Sequence, residues 1–491
     1  MNLTPARRQT ITAGLLLGMA LGALEATVVG TAMPAIVGIL GGLNHYSWVF
    51  SAYLLTSTAS VPIWGRLSDL YGRRRVYLAG VALFLVGSAL CGAAHSMLQL
   101  IVFRAVQGLG AGALVPLAMT IIGEIYTVAE RPRVQALFSG MWGLASIGGP
   151  LLGGYLTDAI SWRWVFYINL PFGILTAIVI GSAYPRFRET RRVTVDWAGA
   201  LLLFAGVTCL LAGLSDMGPP LRWLVASAAL LTGFAVVERR TPEPILPLTL
   251  FAEPIVRWSL PVVFLLGMGM FGAVAFIPLF VQGAMGRTAS EAGHVLTPVF
   301  LGWVLTSVVS ARLTVAVGYR ALTWLGLALM CAGFVMLALM QTDSGRAFLL
   351  SAAFVLGAGM GFSMLALLLA VQHGVSRGQL GLATSLNQFS RSVGAAIGVA
   401  LMGAVLAWML GGESADLAGA PSGALKLAPD AAERLAGALR AAFAFGAAIT
   451  VVAAVLALAL PPVNFEATAT KDVRSAGMPP LGQEDERSGA R

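Results

Sequence analysis

The sequence predicts an all-α integral membrane protein of about fourteen transmembrane helices, and three observations carry that prediction. Apolar residues make up 58% of the 491 and charged residues 11%, with a mean hydropathy of +0.84. A soluble domain has roughly a quarter of its residues charged, so water is not the main solvent for this surface. The apolar residues also fall in runs of about twenty, the length a helix needs to cross a bilayer core. These runs are too long for barrel strands and do not alternate apolar with polar. Finally, arginines gather in alternate short loops, as membrane topology requires.

In chain order the runs are 11–34, 48–65, 76–96, 99–123, 134–157, 164–184 and 197–216, then 221–237, 258–283, 292–311, 320–340, 347–371, 381–410 and 435–460. With the N-terminus inside, the inner segments collect Arg7, Arg8, Arg66, Arg73 to Arg75, Arg131, Arg133 and the run from Arg186 to Arg192. Arg239, Arg240, Arg257, Arg312, Arg320, Arg377 and the basic residues of the tail follow on the same side. The outer loops keep Arg163, Arg222, Arg287, Arg346 and Lys426. Both termini are therefore expected in the cytoplasm. The net charge of +9 is a topology signal, scattered over short loops, and argues against a nucleic-acid partner. Arginine far outnumbers lysine, which points to a GC-rich bacterium and hence to its inner membrane.

Arg7 and Arg8 before an apolar run imitate a signal peptide. The run is too long and carries Glu25, so an uncleaved first span is expected. Cys91, Cys209 and Cys331 all fall inside spans and suggest neither disulfides nor metal.

The second half contains a decayed copy of the first. Gly65 to Arg74 joins spans 2 and 3; at a shift of 246 residues, Ala311 to Arg320 joins spans 10 and 11. Arg66, Leu67, Gly72 and Arg74 recur as Arg312, Leu313, Gly318 and Arg320, whereas Asp69 becomes Val315. Gly148 likewise meets Gly394. Spans 1–6 thus map onto spans 9–14, giving an N-terminal six-helix bundle (1–184), an inserted helix pair (185–257), a C-terminal six-helix bundle (258–460) and a disordered cytoplasmic tail (461–491).

Several chemistries lack their residues. Neither lysine, Lys426 or Lys471, follows a glycine, so no P-loop can form. No histidine precedes a glutamate as a zinc-protease helix would require. Gly267, Gly269 and Gly272 spell a dinucleotide fingerprint but lie inside a span, where glycines serve close packing. No nucleophile–base pair supports an enzyme, and no cofactor is expected.

Four stretches stand out. GRLSDLYGRRR occupies Gly65 to Arg75, with Gly65, Arg66, Asp69, Gly72 and Arg73 as its defining members. Span 4 reads Arg104-Ala105-Val106-Gln107-Gly108-Leu109-Gly110. An arginine there must face protein or a water-filled cavity, or snorkel to the outer surface. Span 5 holds Gly140, then Gly149-Pro150 and Gly153-Gly154. Span 1 carries Leu24-Glu25-Ala26-Thr27-Val28-Val29-Gly30-Thr31-Ala32-Met33-Pro34. Trp162 to Gly173 and Glu238 to Leu250 add to the pattern.

Over residues 11–460 the chain resembles the major facilitator superfamily, and within it the fourteen-span drug:proton antiporter family. The resemblance implies a major facilitator fold of two six-helix bundles plus two inserted helices, driven by a proton gradient. It makes Gly65 to Arg73 a gating loop, Glu25 and Arg104 the proton-coupling pair, and the span 5 glycines with Pro150 the antiporter motif, which favours export over import. Glu25 stands where the family usually has Asp, and Gly30 where it has Asn. The second carboxylate of some relatives, in the tenth span, is absent.

Glu25 is the carboxylate set deep in a span. At about 100° per residue it lies within about 20° of Gly18 and about 60° of Gly22, on a face that packs on protein or borders a cavity. An ionised carboxylate there is costly, so it is expected to take up a proton in competition with a cationic substrate or Arg104.

Trp142, Met268, Phe271, Met364, Asn387 and Gln388 are candidate cavity residues, since methionine and aromatic side chains repack around varied apolar ligands. Arg391 is open between substrate contact and structural pairing. Asp430-x-x-Glu433 is expected to cap the last span.

The leading expectation is a proton-coupled exporter of amphipathic, cationic drugs, working as a monomer in the bilayer. The alternative on the same fold is a dedicated exporter of one endogenous metabolite, antibiotic, siderophore or lipid. A passive channel or scaffold would need neither Asp69 nor a buried Glu25.

Overall fold

The computed structural model describes residues 4–126, 130–185, 197–213, 220–241, 248–375, 379–411 and 427–463. Of the tail expected to be disordered, residues 461–463 are described and the rest lies outside the described residues. All the regular structure described is helical: α1 (Pro5–Leu40), α2 (Tyr46–Tyr71), α3 (Arg73–Gly92), α4 (Met97–Ile125), α5 (Arg131–Ala159), α6 (Trp164–Tyr167), α7 (Asn169–Ala183) and α8 (Trp197–Gly213). Then come α9 (Pro220–Glu238), α10 (Pro254–Leu279), α11 (Ala289–Val317), α12 (Tyr319–Ala338), α13 (Arg346–Gly374), α14 (Leu380–Leu410) and α15 (Pro429–Ala457).

Among the described residues, eleven helices are long and apolar enough to cross a membrane. The other three expected positions, α2, α5 and α8, are helical too. Serine, threonine and glycine dilute the apolar residues of α2 and α5, and α8 has 17 residues. Span 6 departs from expectation in being broken at Ile168 into α6 and α7. Residues 280–284 extend α10 as a π-helical turn.

α1 to α7 pack mainly on one another around Leu15, Tyr77, Phe84, Leu114, Ile121 and Ile180. α10 to α15 surround Phe276, Phe334, Met360, Leu439 and Phe443. The α8–α9 hairpin lies outside α2 and α14, sharing with them a cluster of Trp48, Leu55, Leu203, Val207, Phe234 and Ala400. The fingerprint glycines of α10 do serve close approach. A Cβ would strike the Arg391 carbonyl from Gly267, Met330 from Gly269 and Met402 from Gly272.

The two groups of helices are stitched together toward the end that the arginine bias assigns to the outside. Tyr46 Oη donates to the Ala275 carbonyl at 2.6 Å, and Gln282 Nε2 to the Thr31 carbonyl at 2.8 Å. Asp158, near the end of α5, accepts from the backbone N–H groups of Ala289 (3.1 Å) and Ser290 (2.7 Å) in the first turn of α11. Thr288 and Glu291 complete that helix start with a capping box.

The cap expected from Asp430 and Glu433 is not made. α15 starts at Pro429, whose ring presets helical φ, with Ala428 before it, and no side chain caps it. Asp430 lies in the first turn, and Glu433 pairs with Arg440 at 2.8 Å instead.

Candidate functional site

The most polar part of the interior lies where α1, α3, α4 and α7 meet. Glu25 and Arg104 are each 1% exposed and form an ion pair. The arginine neither snorkels nor faces lipid. Its Nη1 also donates to Gln107 Oε1 at 2.8 Å, one helical turn along α4, and its Nε to the Val49 carbonyl at 3.1 Å. The guanidinium carbon stands 4.1 Å from the centroid of the Tyr53 ring, a cation–π contact shielded from solvent.

The second oxygen of Glu25 accepts from Asn169 Nδ2 at 2.6 Å. Asn169 also donates to Ser88 Oγ (2.9 Å), as does Gln107 (3.1 Å), and the Ser88 hydroxyl donates in turn to the Phe166 carbonyl (2.8 Å). Residues 79 and 144 positions from Glu25 thus hold both of its oxygens. Sequence reasoning singled out Glu25 and Arg104 but missed Asn169, Gln107, Ser88 and Tyr53. Asn169 and Gln107 stood inside stretches already noted, and a polar side chain at membrane depth was the available signal.

α1 joins this cluster to the seam between the helix groups. Gly18 faces inward, where a Cβ would strike the Tyr77 hydroxyl. Thr27, two residues beyond Glu25, faces α5: a Cβ at Gly149 would come within 1.9 Å of Thr27 Oγ1. Gly153 likewise faces Thr31 and the Val28 carbonyl of α1. On the other side of α5, Gly154 abuts Ala289, and Gly293 of α11 approaches the Pro150 carbonyl. The motif therefore wedges α5 between α1 and α11. Gly140 does not share this role, because no heavy atom lies within 4 Å of where its Cβ would be.

At the C-terminal end of α2 the chain turns through Gly72, whose φ of 88° is open to glycine at little cost. Arg73 pairs with Asp69 and reaches Glu124 of α4 at 2.8 Å. Tyr184 donates to the other oxygen of Glu124 at 2.8 Å. Asp69 is therefore held within its own group of helices. Nothing lies within 4 Å of a Cβ at Gly65, and the side chain of Arg66 lies outside the described residues.

The candidate cavity residues do not converge on one spot. Trp142 meets Trp303 of α11 edge-on, with ring centroids 5.8 Å apart across the seam. Met268 and Met364 are buried in packing, and Phe271 lies partly buried against the same cluster. Asn387 is buried, with its Nδ2 unpartnered. Gln388 is exposed and accepts from Arg391 Nε at 3.0 Å.

Two bundled groups of apolar helices, closed at one end and enclosing a buried charge pair, define a multi-pass membrane transporter. Residues 15–399 match the family model of the Major Facilitator Superfamily, and the chain belongs to that superfamily. It is 40% identical over 408 residues to the multidrug transporter protein MdtP of Bacillus subtilis, covering 82% of this chain and 75% of that one. It is 38% identical to multidrug resistance protein 3 of the same organism, covering 80% and 78%. Among solved structures, a bacterial homolog of the human lysosomal transporter Spinster, in an inward-facing and unoccupied conformation, superposes with a TM-score of 0.69. That match covers 96% of this chain and 99% of the other at 17% identity, so it concerns the fold. The chain is accordingly a transporter and not an enzyme.

Proposed function

We propose that this protein is a proton-coupled antiporter that exports amphipathic small molecules, drugs among them, across a bacterial inner membrane with both termini in the cytoplasm. Residues 1–184 and 258–460 act as two halves, and the pair within 185–257 is an insertion. The relatives named for multidrug transport or resistance support export. The observation that carries coupling is Glu25, a carboxylate buried beside Arg104 on a helix that also touches the seam.

Out of water, such a pair offsets its desolvation only while both charges are present. A proton arriving on Glu25 cancels one charge, leaves Arg104 with Gln107 and the Val49 carbonyl, and weakens the hold of α4 on α1. The same helix contacts Gly149 and Gly153 of α5 and Gln282 beyond α10, so its displacement bears on the outer closure. Asp69 and Arg73, bound within the N-terminal half, fit a conformation whose inner side is open.

The cation preference expected from sequence lacks a free carboxylate. Among the described residues Glu25 is the one deep in a helix, and Arg104 and Asn169 hold both its oxygens. The test is export from expressing cells against a chemically mixed panel, with and without a proton uncoupler. The uncoupler is expected to abolish export, and export that persists undiminished overturns proton coupling.

A further inference from the structure

The face of α14 turned toward the space between the halves is rich in donors and, among the described residues, carries a cation without a counter-charge. Gly394 and Gly398 pack on α10, where Cβ atoms would strike the Phe264 carbonyl and Met268 Cα. Ala396 and Gly403 pack on α2: the Ala396 carbonyl accepts from Ser51 Oγ at 3.0 Å, and a Cβ at Gly403 would meet Ser47. At about 100° per residue, Gln388 lies about 60° from Arg391, between these two packed edges. Between these edges the first turns of α14 are polar, with Ser385, Gln388, Arg391 and Ser392, and buried Ala395, Val399 and Met402 take over further along. The opposite sector carries Leu382, Phe389, Val393 and Ile397, and Phe389 and Ile397 pack toward the hairpin cluster.

Arg391 lies eleven residues inside α14, and among the described residues its hydrogen bond is to the neutral Gln388. Two other arginines set well inside helices, Arg104 and Arg440, each have a carboxylate. A guanidinium offers five donors, and an arginine at membrane depth without a carboxylate is costly enough to mark function. One turn away Asn387, 4% exposed, has an Nδ2 with no partner. The Arg391 and Asn387 side chains stand four residues apart on the same side of α14, with Gln388 Oε1 already engaged by the Arg391 Nε.

We propose that Arg391 and Asn387 bind the acidic group of the transported amphipath, so that anionic or zwitterionic amphipaths bearing a carboxylate, sulfonate or phosphate are substrates. The proposal rests on the export reading only in taking the bound molecule as cargo. Gln388 holds Arg391 in place by accepting from its Nε, which leaves both terminal nitrogens for a bidentate contact.

The test is equilibrium binding to the full chain in nanodiscs of neutral lipid, with taurocholate, whose sulfonate stays ionised, and tetraphenylphosphonium as the cationic counterpart. Wild type is expected to bind taurocholate more tightly. Arg391→Gln is expected to lose it by roughly tenfold or more, Arg391→Lys by less, with tetraphenylphosphonium unchanged or improved. Gln388→Glu keeps the arginine but supplies a counter-charge, and it should reproduce the loss even if Arg391→Gln fails to fold. Equal losses for both probes, or taurocholate binding untouched by Gln388→Glu, overturns the proposal. So does displacement of taurocholate by phosphatidylglycerol in the disc, which would assign the site to lipid. Arg391-dependent binding without pH-driven transport would instead leave this site standing and remove the export reading.

Discussion

The α2–α3 and α11–α12 turns are the same turn built twice. Gly72 has φ 88° and Gly318 φ 85°, and each donates its N–H to a carbonyl four residues back at 3.1 Å, from Ser68 and Thr314. Around this shared backbone the side chains have parted. The first turn is bound by charge, through Asp69, Arg73, Glu124 and Tyr184. In the second, Tyr319 stands where Arg73 would, and its hydroxyl donates to the Pro461 carbonyl. The same divergence runs into the core: at the same shift Glu25 becomes Phe271 and Arg104 becomes Leu350. Backbone geometry outlasts chemistry when a chain duplicates, because glycine at positive φ is hard to replace while a charge pair is easily lost whole. The buried pair proposed to handle the proton is thereby confined to one half, and Arg391, whose counterpart is Ala145, is a charge that the other half carries without a match in the first.

The largest test of that asymmetry is Glu25→Gln. It should reduce uphill export in reconstituted vesicles under an imposed pH gradient to background, with Glu25→Asp keeping part of it. Stranding Arg104 should also cost about 3–5 kcal/mol, readable as a lowered unfolding temperature. Adding Arg104→Gln should recover stability but not coupling. Coupled transport by Glu25→Gln at the wild-type rate would end the proposed role.

Gly149→Leu comes next. Its side chain would collide with Thr27, so export should be lost from protein that still inserts, whereas Gly140→Ala should be tolerated. Equal damage from both would mean that the motif does not act through the α1–α5 contact.

Asp69→Asn should slow turnover severalfold without changing substrate affinity, because it disturbs the turn and not the interior. Tyr319→Phe, at the matching turn, should lose about 1 kcal/mol of stability and leave turnover unchanged. A turnover defect in Tyr319→Phe as large as that of Asp69→Asn would show that the second turn is no mere remnant.

Hydropathy located the helices because the bilayer constrains length and polarity residue by residue. It said nothing of which helices would meet. Glu25 and Arg104 could be singled out separately, since a charge at depth is anomalous by itself, but their pairing depends on α1 crossing α4. Asn169 and Gln107 looked ordinary for want of charge. Nothing local to Asp158 points to its partners, which sit 131 and 132 residues away. The place of the α8–α9 hairpin beside α2 and α14 was equally hidden, because an apolar hairpin reads the same wherever it docks.

The start of α11 bears on the speed of the cycle. Of the four backbone N–H groups that a helix leaves open there, Thr288 and Glu291 are satisfied by each other's side chains, and Ala289 and Ser290 by Asp158 of α5. Separating the halves at this end takes away two partners and leaves the self-made pair intact. Water entering the widened gap can replace them, so the net difference is about the worth of a helix cap, ~1 kcal/mol. A latch of that strength shifts the balance between the two forms by about fivefold, enough to favour closure at rest yet too little to slow a protein that must reopen on every turnover.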